Sequence, residues 1–133
     1  MKKIYILIVL FSICSTFAQK QKIERELDSL KNNGHKIVTL TFNYSNISCP
    51  CAQWAESKFN GEKGCDKRVQ TYLEPANDSI EKLIKVDNFP FKVRVTGEYV
   101  SKKGYPKDFK QTKGFAEPAP VFKVYKTKVL KRG

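Results

Sequence analysis

Between Val38 and Leu130 the chain repeatedly alternates apolar and polar residues in short runs, and this two-residue rhythm limits what it can fold into. Val38, Leu40, Phe42 and Tyr44 alternate with Thr39, Thr41, Asn43 and Ser45, with Ile37 as an exception on the other face. Val69, Thr71 and Leu73 alternate with Arg68, Gln70 and Tyr72 until Pro75 ends the run. Phe91, Val93 and Val95 alternate with Lys92, Arg94 and Thr96, and the pattern continues to Tyr99 through Gly97, which implies a bulge or sharp bend. A last run from Val121 to Leu130 sets Phe122 and Val124 against Lys123 and Tyr125. Strands of this kind bury one face each, so the sequence predicts a small, mainly β domain.

One stretch departs from the rhythm. Asn77-Asp78-Ser79 precedes Ile80, Leu83 and Ile84, a polar cap followed by an apolar stripe at helical spacing, and predicts a short helix over 79–85. The segments around it read as connections. Phe59 to Lys67 holds Gly61 and Gly64 among charges, Lys102 to Pro106 reads as a turn, and a polar excursion runs on to Pro120. The end, Lys131-Arg132-Gly133, is expected to fray. If Cys51 to Ser57 is extended, the order is three strands, one short helix and two strands. A helical turn over 50–58 is the alternative, since Ala52, Ala55 and Glu56 tolerate it.

Over Lys36 to Leu130 this order of elements resembles the OB fold, a five-stranded Greek-key barrel with one short helix between strands three and four. With an export-signal layout at the start of the chain, in Met1-Lys2-Lys3, the apolar run Ile4 to Ile13 and the small-residue site Thr16-Phe17-Ala18, it is similar to the small exported OB-like proteins of Bacteroidota-type bacteria, many of which have no assigned activity. The resemblance implies a ligand surface on strands two and three, which would bring Gln53, Trp54, Arg68, Gln70 and Tyr72 to it. The alternative for Trp54 and Tyr72 is that they fill the core of a small domain.

The first 35 residues are of a different kind. Met1-Lys2-Lys3, an apolar run from Ile4 to Ile13 and small residues ending at Ala18 have the layout of a secretory signal peptide. The apolar run falls short of the roughly 20 residues that span a bilayer, so no transmembrane span is expected after cleavage. Residues 1–18 would be the signal, 19–35 an N-terminal helical segment and 36–133 the single OB-like domain. Ile23, Leu27 and Leu30 make residues 21–31 an amphipathic helix that Asn32-Asn33-Gly34 stops. The mature chain would be periplasmic or secreted, with lipid attachment at Cys14 as a secondary route.

Export makes the cysteines informative. Cys49, Cys51 and Cys65 remain after cleavage, and an oxidising compartment favours a disulfide. Cys51 with Cys65 would close a loop of about 14 residues and add roughly 3 kcal/mol. That pairing conflicts with a full second strand, which would hold the two sulfurs about 20 Å apart. A second use of Cys49 and Cys51 is soft-metal binding, with Cu(I) held by thiolates and Cys65 or His35 completing the site, or disulfide exchange. Cys-x-Cys is neither a usual structural-zinc spacing nor the Cys-x-x-Cys of thioredoxin-like enzymes.

Charge supplies the remaining constraint. The 25 Lys and Arg against 13 Asp and Glu give +12, which falls to +10 once Lys2 and Lys3 leave with the signal. Such a balance favours an anionic or glycan partner, although the lysines are spread along the chain and read as a generally solvated basic surface. Nucleic acid is disfavoured by export. No nucleophile signature, phosphate loop or isolated carboxylate pair points to catalysis, and no catalytic or cofactor-binding residue is assigned. The sequence therefore predicts an exported binding or envelope-associated domain that is not an enzyme.

Overall fold

A computed structural model describes residues 2–46, 51–57, 69–87, 91–111 and 114–133. The chain divides into two units, residues 1–35 and 36–133.

The first unit is one helix, α1 (Lys2–Asn32). Neither Gly nor Pro occurs before Gly34, so nothing interrupts the backbone ladder and the helix runs through the expected cleavage site, well beyond the predicted 21–31. Its end matches the predicted stop. Gly34 adopts φ +85, its N–H donates to the Lys31 carbonyl and the His35 N–H reaches the Leu30 carbonyl, both at 3.1 Å. This pair of bonds is a Schellman cap, and the left-handed residue within it favours glycine. Among the described residues no helix is long and apolar enough to cross a membrane.

The second unit is a closed barrel of β1 (Val38–Tyr44), β2 (Trp54–Glu56), β3 (Gln70–Pro75), β4 (Phe91–Gly104) and β5 (Ala119–Arg132), with α2 (Asp78–Ile84) between β3 and β4. Around the barrel the order is β1-β2-β3-β5-β4, closing on β1. All pairs are antiparallel except β3 with β5, which is parallel. This is the OB-like Greek-key arrangement that the order of elements predicts. Phe42, Trp54, Leu73, Phe91, Val93, Val95, Phe122 and Val124 point inward as the alternation requires. α2 adds Ile80 and Ile84 to that core, while Leu83, the third member of the predicted stripe, is exposed. Asn77 caps the helix, its Oδ1 accepting from the Ile80 N–H at 3.0 Å.

One open alternative closes and two expectations change. Residues 54–56 form the expected second strand and not a helical turn, because Trp54 and Ala55 pair with β1 on one side and β3 on the other. β2 is only three residues long, about 10 Å, so it separates its two ends by half of what a full strand would. The stretch predicted as a turn at 102–106 is β4 continuing to Gly104. The frayed end is instead β5 reaching Arg132, whose guanidinium lies 5.1 Å from the centre of the Phe91 ring and donates to the Leu83 carbonyl at 3.3 Å.

Gly97 is the predicted bend. β4 is shifted in register against β5 between Thr96 and Gly97, and a Cβ at Gly97 would collide with the backbone carbonyl of Lys123. Only glycine permits that approach.

Candidate functional site

The two outer faces of the barrel differ in what covers them. On the outside of β3 and β5, Tyr72 and Val121 are buried with Ala52, and Phe109 and Ala119 pack on them. The covering chain is the β4–β5 connection. Tyr105 and Phe109 stack at 4.7 Å and the Tyr72 ring meets them at 6.1 and 5.6 Å. The Tyr72 hydroxyl donates to the Glu117 carbonyl at 3.2 Å, the Tyr105 hydroxyl to the Ala116 carbonyl at 2.7 Å, and the Lys107 N–H to Glu74 Oε2 at 2.8 Å. Burial raises the Tyr72 pKa, the neighbouring Tyr105 adds to the rise and a hydrogen bond with the Ala52 backbone opposes it.

The residues that the resemblance brings to a ligand surface therefore separate. Tyr72 lies beneath the connection, and Trp54 points into the core, edge-on to Tyr44 and Phe91 at 5.3 and 5.9 Å. Gln53 and Gln70 are half-buried, with Gln70 Oε1 accepting from the Ser45 hydroxyl at 3.0 Å. Arg68 lies outside the described residues. Trp54 thus packs within the core and Tyr72 in the cluster outside it. The signal missing from the sequence is the connection itself, which approaches Tyr72 from more than thirty residues away.

Across the barrel, the outer face of β1, β4 and β5 is polar, with Thr39, Arg94, Lys128 and Lys131 exposed and the positions between them half-buried. The register sets Thr39, Thr96 and Lys126 in one rank across the three strands, Thr41, Arg94 and Lys128 in the next, and Asn43, Lys92 and Lys131 in the third. Five of the nine positions are cationic and none carries a carboxylate. Ranks repeat about every 7 Å and neighbouring strands lie about 5 Å apart. Arg94 thus stands directly opposite Lys128, and Lys92 opposite Lys131.

Two bulges make this possible. Strict alternation along β5 would turn Lys126 and Lys128 inward if Lys123 points out. Tyr125 and Leu130 are instead left without a partner in the β4 register, and each extra residue inverts the alternation. Lys123, Lys126, Lys128 and Lys131 all end on the outside. Tyr125 donates its hydroxyl to Glu98 Oε1 at 2.7 Å, and Lys123 Nζ lies 5.7 Å from the Tyr125 ring centre. Burial, the Glu98 hydrogen bond and the nearby carboxylate charges push the Tyr125 pKa up to about 12.

A cleft of about 400 Å³ separates the start of α2 from the connection, lined by Glu74, Asp78, Glu81 and Asp108 with Lys107 and Lys123. Among the described residues no three His, Cys, Asp or Glu side chains are grouped to hold a metal ion. Of the metal and disulfide candidates, Cys49 and Cys65 lie outside the described residues. Cys51, at a bend before β2, is disulfide-bonded, whereas Cys14 on α1 is a free, exposed thiol. No protein-family model, curated protein or solved structure matches the chain.

Proposed function

We propose that the protein is an exported binding domain that holds an anionic partner on the outer face of β1, β4 and β5. The observation that carries this reading is the opposition of Arg94 to Lys128 and of Lys92 to Lys131 across one strand pair. Like charges directly opposite each other destabilise a sheet, by roughly 0.2–1 kcal/mol per pair, and two such pairs persist here. A partner bearing negative charge offsets that repulsion, which gives the arrangement a use that a merely solvated surface lacks. The face suggested by the resemblance is a poorer candidate, since the chain's own connection covers Tyr72.

The oxidised state of Cys51 supports export. In this reading its partner is Cys65, and the bond is a staple, not a reactive centre. Retention on an immobilised polyanion tests the proposal. The wild type should elute at higher salt than Lys128→Glu, whereas equal elution would remove the face from consideration.

A further inference from the structure

We infer that the partner of the β1–β4–β5 face is an acidic polysaccharide, an extended chain carrying sulfate or carboxylate groups. This rests on the anion-binding reading above and narrows it by what the face holds besides charge.

The first observation is length. The two β5 bulges keep Lys123, Lys126, Lys128 and Lys131 on one side of the strand, opposite Glu98, Thr96, Arg94 and Lys92, and the six β4 residue steps between the ends at 3.3 Å cover about 20 Å. A strand-long row of cations suits a linear polyanion, because a small anion would engage only one or two of them.

The second is the row beside it. β1 contributes Thr39, Thr41 and Asn43, short side chains able both to donate and to accept hydrogen bonds. The Thr39 and Thr96 hydroxyls lie 2.9 Å apart and share one bond, which leaves acceptor capacity on both oxygens. Sugar hydroxyls and ring oxygens are the complement of such a row.

The third is the absence of any aromatic or large apolar residue at the nine positions. Single strands of nucleic acid are held by stacking bases on aromatic rings, and a lipid surface is entered by apolar side chains. Several aromatics of the barrel are engaged elsewhere. Trp54 is in the core, Tyr72, Tyr105 and Phe109 pack on one another, and the nearby Tyr125 lies against Lys123 and Glu98.

The test is calorimetric titration of the full chain at ionic strength on the order of 0.1 M, where surface charge is screened beyond about 10 Å. Four probes are used: a heparin-derived oligosaccharide, polygalacturonate, single-stranded DNA of matched charge and phosphatidylglycerol vesicles. The Arg94→Glu/Lys128→Glu double variant is compared with Lys82→Glu, which reverses an exposed charge on α2. Circular dichroism establishes that both variants fold. At least one glycan should bind more tightly than DNA and vesicles, with the double variant weakening it about tenfold or more and Lys82→Glu leaving it within about twofold. DNA or vesicles binding as tightly as the glycans, with the same sensitivity to the double variant, would overturn the glycan inference and leave the anion-binding face standing. Binding of no probe, or binding indifferent to the double variant, would overturn both.

Discussion

The outside of β3 and β5 and the outside of β1, β4 and β5 belong to one barrel, yet the chain treats them in opposite ways. Over the first it lays its own β4–β5 connection, burying Tyr72 to 8 % exposure under Tyr105 and Phe109. On the second, β4 and β5 concentrate five cations in three ranks. Apolar area removed from water stabilises the fold, whereas opposed like charges oppose it. The covered face therefore contributes stability, and the open face trades some stability for attraction at a distance.

That contrast sets the expected effects of substitution. The largest belongs to Tyr72→Ala, which empties the covered face and should cost about 3 kcal/mol in chemical denaturation while leaving polyanion affinity unchanged. Loss of affinity in a folded Tyr72→Ala protein would mean that the two faces are not independent. Gly97→Ala should cost about 1–3 kcal/mol, since its Cβ meets the Lys123 backbone. Because that clash lies beside the Tyr125 bulge, it should also weaken polyanion binding, measurable by salt elution.

Lys128→Glu sharpens the comparison because its two effects differ in sign. Placing a carboxylate opposite Arg94 turns a like pair into one of opposite charge, which should raise stability by about 0.2–1 kcal/mol in urea titration and lower polyanion affinity severalfold. A variant less stable than the wild type would refute the claim that the face is held under repulsion. The smallest effect concerns the seam between the faces. Tyr125 has its folded pKa raised above the ordinary 10.0, so its contribution is fully present below pH 10 and disappears as pH rises toward about 12. Melting temperatures followed from pH 9 to 12 should fall more steeply in the wild type than in Tyr125→Phe, and parallel curves would exclude a role for the Glu98 bond.

Much of the barrel is legible in the sequence because its signals are local. The alternation in β1, the Asn77 cap and the tight approach at Gly97 each depend on residues within a few positions or on one steric fact. β2 is less legible, since three residues bury both Trp54 and Ala55 and leave no alternation to read. The length of β4 is hidden in the same way, because Lys102 to Pro106 look like a turn, although β4 runs on to Gly104 and pairs there with β5. The candidate site is the least legible. Lysines at 92, 126, 128 and 131 look dispersed along the chain, and only the register of two strands and two bulges gathers them with Arg94. Conversely, Tyr72 looks available on its strand and is closed off by a segment that follows much later.

The most direct measurement is a map of backbone amide chemical shifts while the folded protein is titrated with an acidic oligosaccharide. Binding on the open face predicts saturable shifts at Thr41, Lys92, Arg94, Lys126 and Lys128, with Tyr72, Tyr105 and Phe109 unmoved. Shifts confined to Tyr72 and the connection above it would contradict that assignment and return the binding surface to the covered side.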